Sequence, residues 1–229
     1  DIYVYNLQTN EERQITIDPA DQKYPVIFKN FIVWKDYRNN NLPKTYLYNL
    51  DTNVETAVNF NSLYLDISDK YLVGVANNKI VLYNLKTNAI EETNVQNVQD
   101  YYGISIFKDH LVYVLNEDIY VYNIVTKQQL QITKDSYLQI YPDIWEDVIV
   151  WSDFRNDQSG LPPYSRKPNA DIFTFNLKSD ETRAISLAQN RQSFPAISNG
   201  LIVWIDSRNE RDYIASYLLG QLDKDIDSV

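Results

Sequence analysis

The chain repeats itself, and that limits its fold more than anything else in the sequence. Residues 24–39 (YPVIFKNFIVWKDYRN), 141–156 (YPDIWEDVIVWSDFRN) and 194–209 (FPAISNGLIVWIDSRN) share one layout. Each has an aromatic-Pro entry, a short strand, a tight turn, a second strand and a polar exit. Residues 64–76 and 102–115 are degenerate copies. A second unit alternates with the first: a strand, an Asn-(Leu/Ile)-x-(Thr/Ser) turn and a return strand. It occurs at residues 1–16, 44–58, 79–94, 118–133 and 171–186. Internal repeats of this period are supersecondary units that bury their apolar faces only against neighbouring copies.

Both units alternate apolar and polar residues with period two around short turns, the pattern of β-hairpins. Paired in sequence they make four-stranded antiparallel blades, strands A to D. The expected fold is therefore all-β, a β-propeller of five four-stranded blades. The blades fall at about 24–58, 65–94, 102–133, 141–186, and 194–220 closed with 1–16, leaving 221–229 as an acidic tail. Residues 212–220 resemble a sixth C strand, so six blades, or part of a larger ring, is the alternative. The runs Phe31-Ile32-Val33-Trp34 and Val148-Ile149-Val150-Trp151 are continuously apolar, as expected of strands covered on both faces. Pro25, Pro142 and Pro195 fit the start of strand A, where a missing N–H is tolerated.

Composition excludes several functions. A net charge of −10 opposes a nucleic-acid partner. The absence of Cys removes disulfides, thiolate chemistry and Cys-based zinc sites. No apolar run approaches the length of a membrane span, so direct membrane insertion is not expected. The missing initiator Met reads as a processed or excised piece.

Residues 141–156 with 171–177 resemble the TolB-like propeller repeats of bacterial and archaeal cell-surface proteins. That repeat looks like Tyr-Pro-x-Ile, then Ile-Val-Trp-x-Asp-x-Arg-Asn, then Asp-Ile-Tyr-x-Tyr-Asn-Leu. The likeness covers nearly all of residues 1–220. It implies an extracellular or cell-surface binding or assembly module with no catalytic activity. The other readings are a carbohydrate-active hydrolase using acids at the channel mouth, and a structural spacer in a surface array. The second and third blades lack Trp-x-Asp-x-Arg-Asn.

That motif occurs at Trp34/Asp36/Arg38, Trp151/Asp153/Arg155 and Trp204/Asp206/Arg208. A residue repeated in each full copy serves the repeat: the Asp caps the B–C loop and the Arg pairs with an acid. An Arg two residues from each acid would also lower the carboxyl pKa, against a general-acid role. His110 is the lone histidine and by itself builds neither a metal site nor a triad. The insertion at 159–170 (SGLPPYSRKPNA) is a proline-stiffened loop on the D–A/B–C face. Its Tyr164, Arg166 and Lys167, with Tyr101 and Tyr137 from D–A loops, are the candidate contacts for a protein or glycan partner. The opposite face, with short turns, is expected to offer little room. Neighbouring domains of a longer chain are further candidate partners. Asp223, Asp225 and Asp227 have the alternate-residue spacing of calcium loops; no other cofactor is expected.

Overall fold

The protein is described here by a computed structural model covering residues 1–39, 42–99, 102–159, 169–208 and 211–220. It is an all-β propeller fold of antiparallel blades. A two-stranded sheet comes first, β1 (Tyr3–Asn6) with β2 (Glu11–Gln14). Blade I is β3 (Gln22–Phe28), β4 (Phe31–Asn39), β5 (Leu42–Asn49) and β6 (Val54–Val58). Blade II is β7 (Leu65–Ile67), β8 (Tyr71–Ala76), β9 (Lys79–Asn84) and β10 (Ile90–Gln96). Blade III is β11 (Ile104–Phe107), β12 (His110–Leu115), β13 (Asp118–Asn123) and β14 (Gln129–Gln131). Blade IV is β15 (Gln139–Trp145), β16 (Val148–Asp153), β17 (Asp171–Asn176) and β18 (Glu181–Ser186). Blade V has three strands among the described residues: β19 (Gln192–Ser198), β20 (Leu201–Asp206) and β21 (Tyr213–Leu218). The chain packs as two compact units, 1–101 and 102–229.

The repeated asparagine makes each C–D turn. In the β1–β2 hairpin and in blades I to IV, its Oδ1 accepts two backbone N–H groups, two and three residues on. For Asn123 these are Val125 at 3.0 Å and Thr126 at 2.8 Å; Asn6, Asn49, Asn84 and Asn176 do the same. A short side chain that satisfies its own turn costs little entropy and holds the hairpin register.

Each central strand packs both ways, which accounts for the continuous apolar runs. In residues 102–229, Ile149 and Trp151 of β16 face Val112, Val114, Ile119 and Val121 of blade III. Val150, one residue over, joins Ile197, Ile202 and Trp204 of blade V. In residues 1–101, Ile2 lies on Ile32 and Trp34, while Val33 packs toward Ile67 and Leu72 of blade II.

Polar latches tie blades at their ends. The Thr133 hydroxyl accepts the Ile119 N–H at 2.8 Å and lies 3.0 Å from Asp118 Oδ1 and 2.8 Å from Gln139 Oε1 of the next blade. Thr16 repeats this with the Ile2 N–H, Asp1 and Gln22. Asp143 spans three blades: Ser105 Oγ and the Ile197 N–H each donate to it at 2.7 Å.

Candidate functional site

The three Trp-x-Asp-x-Arg copies are internal clamps of unequal quality. In blade IV, Trp151 Nε1 donates to Asp153 Oδ2 at 2.8 Å. Arg155 grips the same carboxylate with Nε on Oδ1 at 2.8 Å and Nη2 on Oδ2 at 2.6 Å. Blade I matches, with Trp34 at 3.0 Å and Arg38 at 2.8 and 2.6 Å from Asp36. A fork on a carboxylate is the strong form of this contact. The cross-strand neighbour of each Trp completes the clamp: Arg38 lies 4.3 Å over the Tyr46 ring and Arg155 4.3 Å over Phe173. In blade V that neighbour is Ala215. With no ring beneath it, Arg208 keeps one side-chain bond to Asp206, Nε at 2.9 Å. Trp204 Nε1 and Asp206 Oδ2 are then buried without partners.

These clamps place the acids where no substrate reaches. Asp36 and Asp153 are fully buried and Asp206 nearly so. Burial alone would raise the Asp36 carboxyl, but the Arg38 and Trp34 hydrogen bonds outweigh it and hold it below the ordinary carboxylate value. Sequence reasoning missed a different acid, Asp171. The β16–β17 register sets it directly opposite Asp153, and it is fully buried. Burial, then the charge of Asp153, pushes its pKa up to about 6, against the hydrogen bond from Asn156. A carboxyl with that pKa suits acid catalysis, but its burial keeps it from substrate. The signal was its place opposite the motif Asp in the B–C hairpin.

The D–A/B–C end of residues 102–220 carries an aromatic cluster. A β-bulge interrupts β15 between Ile140 and Asp143, and β19 between Ser193 and Ala196. It throws Tyr141 (φ 55°) and Phe194 (φ 54°) out of the sheet. Tyr24 adopts the same conformation in blade I, and Gly103 holds the equivalent place in blade III, where the sequence pattern pointed to Tyr102. A Cβ on Gly103 would sit 3.2 Å from Tyr141 Cα at a φ of 96°, so a side chain there would be both crowded and strained. Positive φ is costly for a bulky residue, of order 1–3 kcal/mol, and such strain gathers at functional sites. The Tyr141 and Phe194 rings stack at 4.2 Å, with Arg191 5.7 Å over Phe194. Burial pulls the Arg191 guanidinium below its ordinary value. Tyr137 is 47% exposed nearby in sequence, its N–H donating to Asp135, and Asp135 in turn pairs with Arg155.

Asp157 anchors the root of the insertion. Its Oδ1 accepts both the Ser159 and Asn169 N–H groups at 3.0 Å, closing the loop's two stems on one carboxylate. Tyr164, Arg166 and Lys167 of the insertion, and Tyr101, lie outside the described residues. So do Asp223, Asp225 and Asp227.

The sequence matches the family model of the dipeptidyl peptidase IV N-terminal region over residues 74–146. No curated protein matches significantly. Among solved structures, TolB from Acinetobacter baumannii superposes with a TM-score of 0.65 at 12% identity, covering 94% of this chain and 56% of TolB. The computationally designed Ika8 protein gives 0.60 at 10% identity, covering 87% of this chain and 58% of its own. The chain thus spans little more than half the length of either structure. The fold is that of a TolB-like β-propeller.

Within the TolB-like blades, His110 sits at the start of β12, half-buried beside Asn123, with no acid or nucleophile bonded to it. Among the described residues no three His, Cys, Asp or Glu side chains converge in a metal-binding group, and no helix is long and apolar enough to cross a membrane. The A–B/C–D turn end, expected to offer little room, carries a groove of about 630 Å³ between blades III and IV.

Proposed function

We propose that this TolB-like propeller is a non-catalytic binding or assembly module of a secreted or cell-surface protein. The reading includes closure of 194–220 with 1–16 and docking through the D–A/B–C end of residues 102–220. The observation that carries it is the stacked Tyr141–Phe194 pair. Two aromatic rings are held out of their strands at a conformational cost, beside an insertion whose root is pinned by Asp157. Rigid aromatic and Arg side chains on a fixed scaffold are the usual anchors of interfaces. Tyr137, Tyr101, Tyr164, Arg166 and Lys167 would form the rim that meets a protein or glycan.

The test uses the parent protein in its own surface assembly. Hydrogen exchange compares the assembled and dissociated forms, and Tyr137→Ala with Phe194→Ala is scored for assembly beside Tyr164→Ala with Arg166→Ala. Protection of 135–141, 157–170 and 190–196, with loss of assembly in both double variants, is expected. Protection confined to the turn end, with both variants assembling normally, overturns the docking face. Turnover of chromogenic glycosides by the purified chain would overturn the non-catalytic reading.

A further inference from the structure

The surface is hollowed at the turn end of blades III and IV. The turn there is an ordinary one: residues 124–128 join β13 to β14 as residues 85–89 join β9 to β10. A hollow of about 630 Å³ opens between β13–β14 and the β15–β16 turn. Small-ligand sites generally fall between roughly 300 and 1,000 Å³.

Its lining has a definite chemistry. Val121, Leu130 and Leu177 supply an aliphatic floor, with Leu130 51% exposed. His110, Asn123, Gln128, Gln129 and Asp147 supply the polar groups. Asn123 cannot turn its amide around, because its Oδ1 already accepts the Val125 and Thr126 N–H groups. Its Nδ2 therefore donates to His110 Nε2, 3.3 Å away, which leaves the ring proton on Nδ1 as a donor. Asp147 is charge-paired with Lys178 through Oδ2. The lining thus offers amide donors and acceptors, an imidazole donor and a carboxylate already paired, and none of the lining residues is Lys or Arg.

That set discriminates between ligand classes. A net charge of −10 and a lining without a cation disfavour an anion. A purely apolar ligand would strip water from the amides without replacing its hydrogen bonds. What satisfies both the amides and the aliphatic floor is an uncharged molecule with many hydroxyls and an apolar C–H face. We propose that this groove binds a neutral saccharide, with Gln128, Gln129 and Asp147 Oδ1 bonding its hydroxyls and Leu130 beneath one sugar ring. The site lies at the opposite end of the blades from the docking face and does not depend on it.

Isothermal titration calorimetry of the full chain against maltotriose, cellotriose and chitotriose tests this, with a sulfated oligosaccharide and an acidic peptide as charged controls. One neutral trisaccharide should bind, and neither control should. Gln129→Ala and Leu130→Ala should each weaken that binding about tenfold with the melting temperature unchanged, while Tyr137→Ala with Phe194→Ala leaves it intact. Binding of the charged controls alone, no binding of any trisaccharide, or binding indifferent to both groove variants overturns the assignment. Loss of binding only in Tyr137→Ala with Phe194→Ala would move the sugar to the docking face and equally overturn it.

Discussion

Replacing Asp171 by Asn should stabilise the protein at neutral pH and leave it unchanged in acid. Comparison of equivalent corners gives the reason. In blade III, Asp118 receives the Thr133 hydroxyl on one oxygen and the Gln131 amide on the other. Blade IV has Ser186 and Ala184 at those positions, by the register of β17 on β18. Asn156 stands in for the glutamine, donating to Asp171 Oδ2 at 2.7 Å. Nothing stands in for the threonine: Asp171 Oδ1 and Gln192 Oε1 are both buried without a partner. Burial therefore lifts the carboxyl from its ordinary 3.8 to about 6. Two pKa units correspond to about 3 kcal/mol, the upper bound of the effect. Because the folded pKa lies above the unfolded one, the native state holds the proton more tightly between these values. Stability from this group is fully present below about 3.8 and lost as pH rises through about 6. D171N cannot ionise, and its amide carbonyl still accepts from Asn156. Urea unfolding of wild type and D171N, followed by Trp fluorescence from pH 3 to pH 8, should give curves that agree at the acid end, separate as pH rises between about 4 and 6, and then stay apart by up to about 3 kcal/mol. A difference independent of pH, or a variant less stable at pH 8, would refute the reasoning.

Two other perturbations probe the framework. Trp151→Phe removes a bonded indole donor and leaves Asp153 short of one hydrogen bond, whereas Trp204→Phe removes a donor that has no partner; the first should cost about 1–3 kcal/mol more than the second in denaturant unfolding, and equal costs would mean the indole bonds contribute nothing. Deleting residues 1–16 strips Ile2 from Ile32 and Trp34, so the shortened chain should melt earlier and Trp34 should become open to iodide quenching; an unchanged melting temperature and quenching profile would count against both that packing and the proposed closure.

Much of this architecture is local and therefore legible in the sequence. A strand pattern of period two fixes which side chains share a face, and an Asn that bonds its own turn fixes where each hairpin reverses. Hence the blades, the C–D turns and the internal character of Trp-x-Asp-x-Arg follow from residue order alone. Differences between copies of one motif do not, because they depend on residues far away in the chain. Arg208 loses its fork because β21 places Ala215 where blades I and IV place Tyr46 and Phe173. Asp171 acquires its high pKa because it is buried and no side chain of the neighbouring strands donates to its Oδ1. The groove is lined by side chains of two blades, from His110 of blade III to Leu177 of blade IV. Hydrogen bonding and burial act over a few ångströms in space, so any property set by what stands across a strand or blade is decided only when the chain has packed.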